Sequence, residues 1–221
     1  MFEKLKKLIE EAQKRSAKSV DTSVFNSPLA KQTEWFPLAG GGSSFQTHRL
    51  DSSNLDILVF RATKGAYAFA GVFTLIGFLG LVIPLVLFFN SGMEDWGMLG
   101  FAILFGGIFF SAGMFLMYFM TMPRVFDTFY GCYYKGRKKP QHTMDSKGKQ
   151  HALTHLNEVK AIQVIRERIS SKNGHFNSYE INLVLADGSR INVIDHGKHV
   201  VVMEDAKTLA TALGVPLWDA S

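Results

Sequence analysis

Two uncharged runs of 25 residues each, Gly65 to Phe89 and Gly97 to Thr121, leave this chain few ways to fold. About 20 apolar residues in a helix cross the hydrocarbon core of a bilayer, and a backbone in lipid must pair its own amides. Each run therefore predicts a membrane-spanning helix. The seven residues between them, Asn90-Ser91-Gly92-Met93-Glu94-Asp95-Trp96, allow only a short connection, so 65–122 reads as a transmembrane helical hairpin.

Charge gives the hairpin a direction. Residues 1–64 carry ten Lys+Arg against seven Asp+Glu, residues 65–122 none against two, and residues 123–221 fourteen against ten, for nets of +3, −2 and +4. Lys64 precedes the first span and Arg124, Lys135, Arg137, Lys138 and Lys139 follow the second, whereas the connector holds Glu94 and Asp95. The positive-inside rule puts both termini in the cytoplasm, as in a multi-pass protein of a bacterial inner (cell) membrane. No apolar run of signal-peptide type precedes residue 64, so no cleavage is expected.

Small residues suggest where the spans meet. Ala66, Ala70, Thr74 and Gly77 share one face of the first span and Gly100, Gly107 and Ser111 one face of the second, so these are the expected helix-packing positions. They serve the hairpin itself or an oligomer seam. Pro84 is expected to kink the first helix. No Asp, Glu, Lys, Arg or His lies within either span, which argues against a proton relay or ion pathway built from this chain alone.

The flanks are of another kind. Phe2, Leu5, Leu8, Ile9 and Ala12 at helical spacing predict an amphipathic helix over 1–18, suited to the inner leaflet, a partner, or its own domain. Ser, Gly, Ala and Pro make 19–43 read as a linker ending in Gly40-Gly41-Gly42-Ser43, which has no following Gly-Lys-Ser/Thr and hence no phosphate cradle. Two strands are expected at 44–50 and 55–62, within a 44–64 segment that opens the cytoplasmic domain. Its remainder, 123–221, predicts an aromatic strand and turn over 125–134, a basic loop, strands near 156–169, 179–185 and 190–194 joined by Asn173-Gly174 and Asp187-Gly188, and a helix over 200–213 stopped by Gly214 and Pro216.

Strands before and after an inserted hairpin, closed by a C-terminal helix, resemble bacterial pleckstrin-homology-like domains. The pieces Phe126-Asp127-Thr128-Phe129-Tyr130-Gly131-Cys132-Tyr133-Tyr134, Val159-Lys160-Ala161-Ile162-Gln163-Val164, Tyr179-Glu180-Ile181-Asn182-Leu183-Val184-Leu185 and Gly214-Val215-Pro216-Leu217-Trp218-Asp219 are also similar to uncharacterised two-span bacterial inner-membrane proteins with a cytoplasmic PH-like domain. The resemblance runs from about residue 40 to the end. It implies an α+β membrane protein, its hairpin inserted in an antiparallel PH-like sheet capped by a helix, and it implies no activity.

Candidate chemistry is sparse. His151 and His155, four apart, suit one helical face of a metal site, with His142, His175, His196 or His199 as a third ligand, but no spacing selects one. Ser189, Asp195 and His196 are the residue types of a hydrolytic triad without a Gly-x-Ser-x-Gly elbow, and Asp195-His196-Gly197 reads as the loop before the last helix. Glu158, Glu167 and Glu180 suit cross-strand ion pairs. One cysteine, Cys132, excludes an intrachain disulfide.

These readings predict no catalytic residue, no metal and no cofactor. They predict a non-catalytic interaction or scaffold module at the membrane, or alternatively an accessory subunit of a transport, secretion or envelope-stress complex. Lys135, Arg137, Lys138 and Lys139 are the expected contacts to anionic headgroups of the lipid bilayer. A protein partner or a second copy of the chain is expected at the sheet edges, the Phe/Tyr segment or Trp218. The modest basicity does not suit nucleic acid.

Overall fold

The computed structural model describes residues 20–54, 56–92, 94, 96–139, 153–171 and 174–221. The amphipathic 1–18 segment, His142 and His151 lie outside them. The chain divides into two compact units, one taking the chain through Phe60 together with Arg124–Ser221, the other Arg61–Pro123. The architecture is α+β, with antiparallel sheets and two long apolar helices.

The first unit contains two sheets. β1 (His48–Asp51), β2 (Ile57–Ala62), β3 (Arg124–Asp127), β4 (Cys132–Lys135) and β5 (Leu153–His155) lie side by side in chain order. The second sheet has the order β8 (Arg190–His196), β7 (Gly174–Leu185), β6 (Val159–Ser171), β9 (Leu217–Ala220). Alternation of side chains along each strand explains the core. Leu58, Phe60, Phe126 and Tyr133 of the first sheet meet Ile162, Val164, Ile181, Leu183 and Val193 of the second. The apolar stripe Val202, Ala206, Leu209 and Ala210 of the C-terminal helix His199–Leu213 completes this cluster. Gly214 ends that helix with φ +64°, its N–H returning to the carbonyls of Ala210 and Thr211, as a left-handed C-terminal cap requires.

Two features that depart from the sequence reading shape this unit. The final residues form a strand, β9, which pairs parallel with β6 from Ile162↔Leu217 to Ile165↔Ala220. And the stretch read as a linker packs against the outer face of the second sheet over its described residues. It contains a short 3-10 turn at Thr22–Phe25 and the helix α1 (Pro28–Gln32), and it buries Ala30, Thr33 and Phe36. Its Phe25 and Trp35 rings stack at 4.8 Å, and both lie 5.8 Å from the ring of Trp218. Burial of aromatic area holds this stretch in place, a gain that loop-like composition does not announce.

The second unit is a helical hairpin of α2 (Lys64–Asn90) and α3 (Trp96–Met120). The Thr63 hydroxyl caps α2 by accepting from the Ala66 amide at 3.3 Å. Pro84 sits within this helix. At the connector, Phe88 and Trp96 meet edge to face at 5.0 Å.

Candidate functional site

The hairpin presents the largest apolar surface of the described chain. Tyr67, Phe69, Val72, Leu75, Phe78, Ile83 and Phe89 on α2 are exposed, as are Phe101, Ile103, Leu104, Ile108, Phe115 and Phe119 on α3. Within an apolar 18-residue window of each helix only 11% and 17% of residues are buried among the described residues. Both are long and apolar enough to cross a membrane.

Between the helices the backbones approach at three places. A side chain added at Gly77 would strike the backbone of Phe109 and Phe110, one at Gly113 would strike Thr74, and one at Gly106 would come within 2.8 Å of Gly80 and Leu81. Ala66 and Ala70 on α2 are fully buried. On α3 the contact face differs from the one expected: Ala102, Gly106 and Gly113 are buried. Gly100 and Gly107 have nothing within 4 Å of an added side chain, and Ser111 is exposed. Two small-residue stripes coexist on α3, and spacing alone does not tell which one faces α2.

The basic segment begins at the strand ends nearest the hairpin in the chain. Phe60 pairs with Arg124 and Arg124 with Lys135, so Lys135 joins the edge at which β2 leaves for α2 and β3 returns from α3. Lys135, Arg137 and Lys138 are exposed. Lys139 is not a surface cation of the same kind: its ammonium lies 3.3 Å from the Asp127 carboxylate and 3.1 Å from the centre of the Tyr130 ring. Asp127 also accepts from the Tyr130 amide at 2.9 Å, closing the β3–β4 turn, at whose tip Phe129 is 75% exposed. Arg124 turns inward, donating to the Val193 carbonyl at 3.0 Å and meeting the His48 ring at 2.8 Å.

The densest polar arrangement lies where the N-terminal stretch crosses the second sheet. The Glu180 carboxylate, with no exposed surface, accepts from the amides of Leu38 at 2.8 Å and Ala39 at 3.4 Å and from the Asn192 side chain at 3.2 Å. Glu167 accepts from the amides of Gly41 and Gly42 at 3.2 and 3.3 Å. Arg190 donates to the Phe36 carbonyl at 2.7 Å and lies 3.7 Å from Glu34. The Gln163 amide donates to the Glu34 carbonyl at 3.1 Å. Burial pushes the Glu180 carboxyl up to about 7, against the opposing pull of its hydrogen-bond donors. Asp195, opposite it on β8, is also raised by burial and by the charge of Glu167. Glu167 and Glu180 are thus acceptors for backbone amides rather than members of cross-strand ion pairs. Glu158 is exposed in the turn before β6.

The remaining candidates do not converge. Ser189 bonds Asp187 at 2.6 Å within the β7–β8 turn. Asp195 and His196 are neighbours at the end of β8, not in the following loop, and project to opposite faces. The His196 ring is buried and accepts from the Lys198 amide at 3.2 Å, and burial pulls its pKa down to about 4. His175 touches Ser170, while His199 touches Ser221 and stacks on Tyr179. Among the described residues no three His, Cys, Asp or Glu side chains are grouped to hold a metal ion. Trp218, expected to face a partner, is only 2% exposed because the N-terminal stretch covers it. A polar depression of about 520 Å³ beside α1 is lined by Thr22, Ser23, Asn26, Ser27, Lys31 and Gln32 among others.

No family model, curated protein or solved structure matches the chain.

Proposed function

We propose that the hairpin anchors the chain in a membrane and that the α+β unit is a non-catalytic, PH-like interaction module held at the anionic cytoplasmic face. The observation that carries this reading is the exposed apolar surface on both α2 and α3, which water does not tolerate and lipid does. Exposed Lys135, Arg137 and Lys138, beside the strand ends that lead into the hairpin, are suited to anionic headgroups, at about 1 kcal/mol of attraction for each cation near the surface. Two sheets closed by a C-terminal helix support the PH-like reading, and β9 and the packed N-terminal stretch are additions to it. In a bacterial host the protein is expected in the inner membrane, retained through alkaline carbonate washing. A thiol probe that does not cross the membrane should label a cysteine placed in the 90–96 connector and not one placed at Lys138. Recovery as a soluble monomer without detergent, or labelling of both positions, sinks the reading.

A second reading, an accessory subunit of a larger membrane complex, is favoured by one observation. Gly100, Gly107 and Ser111 form a small-residue face turned away from α2. Gly107→Leu should then remove co-purifying chains, seen by native mass spectrometry from nanodiscs, while insertion is unchanged. Intact association in that variant ends this alternative.

A further inference from the structure

We propose that residues 37–43 are a proton-gated strap: closed over the outer face of β6, β7 and β8 when Glu180 carries a proton, and opening as that carboxyl ionises. The geometry that supports it is a segment held chiefly through its own amides. The N–H groups of Leu38 and Ala39 point at Glu180, and those of Gly41 and Gly42 point at Glu167. Leu38, Gly40 and Gly41 are exposed, so little apolar burial secures this part of the chain, in contrast to the aromatic cluster before it. Gly41 has φ +87°, and Gly42 lies so close to Ser178 that a side chain there would collide with the serine hydroxyl. A flexible turn thus sits directly over a buried acid.

Burial of Glu180 beneath the strap decides the sign. The charged groups around it are Arg190, which interacts with its charge, and Asp195 on β8, Glu167 on β6, and Glu34, three residues before the strap. The two strap amides and the side chains of Asn182 and Asn192 favour its ionised form, but loss of water outweighs them, so the closed state holds the proton more tightly than an open, hydrated Glu180 does. Closure is therefore coupled to proton uptake. Its added stability is complete below the ordinary carboxyl value of 4.5 and is lost as pH rises through about 7. A protonated carboxyl still has an oxygen to accept from Leu38. Opening uncovers Ser178, Asn182 and Asn192, of which the Ser178 hydroxyl has no hydrogen-bond partner among the described residues.

The test is amide hydrogen exchange of the full chain in nanodiscs at pH 6 and 8.5, corrected for intrinsic exchange rates. Opening at residues 38–42 should rise about tenfold between the two, while β7 stays protected. Glu180→Gln, which mimics the protonated acid, should abolish that rise. Leu38→Pro, which removes a donor and leaves the acid in place, should open the strap at both pH values. An unchanged wild-type strap, a tenfold rise that survives in Glu180→Gln, or full protection at pH 6 in Leu38→Pro each overturns the proposal.

Discussion

Leucine at Gly113 will force the two apolar helices apart, whereas leucine at Gly107 will not. The position at 113 faces the backbone and side chain of Thr74, with no room for even a methyl group, and Gly77 lies against Phe110 in the same seam. Because the obstruction is backbone, no rotamer change relieves it, and the helices must separate along this part of their contact. The expected loss is about 3 kcal/mol or more of hairpin stability, read by steric trapping or by cross-linking between α2 and α3 in bilayers. Gly107, with nothing within 4 Å, should change by less than about 0.5 kcal/mol. Equal losses at 107 and 113 would show that α3 uses a different face from the one described.

Trp218→Ala should be the most damaging single change in the sheet unit. The indole fills the space between Phe25, Trp35, Ala30, Ala161 and Val184, joining β6 and β7 to the N-terminal stretch. Removing a buried aromatic ring of this size costs about 3–5 kcal/mol in transfer and cavity energy together. For a unit of this length that lowers Tm by roughly 10 °C. Calorimetry of the protein in nanodiscs measures the shift. Limited proteolysis within residues 20–36 should accelerate in the same variant, since the aromatic stack that covers those bonds is gone. A loss below about 1 kcal/mol would mean that the stretch is not docked through Trp218.

These two sites differ in how visible they were beforehand. The apolar runs were plain, because long uncharged segments are a local property that needs no knowledge of the rest of the chain. Which stripe of α3 meets α2 was not: Gly100, Gly107 and Ser111 are small residues at a spacing similar to that of Ala102, Gly106 and Gly113. Only the rotation of one helix against the other separates them. Most strands lay close to their expected positions, since alternation and the Asp187-Gly188 turn are short-range signals. β9 was missed because a four-residue strand pairing parallel with a distant partner has little pattern of its own.

The carboxylate strap was the least legible. Glu180 reads as one more charged strand residue, and 37–43 reads as glycine-rich connection. Their bond joins positions 142 residues apart, and neither carries a motif. The same holds for Trp218, which as an aromatic near the terminus looked available to a partner.

What the sequence determined by itself is the presence of two helices suited to lipid, the charge asymmetry around them, and a mixed α+β unit split by their insertion. Each follows from composition within a window shorter than about 30 residues. The tertiary structure alone decided which faces touch: the α3 seam, the burial of Trp218, and the packing of residues 20–43 as a layer over the second sheet. Those outcomes come from apolar area and hydrogen bonds shared between segments far apart in the chain, a free energy that neither segment carries alone.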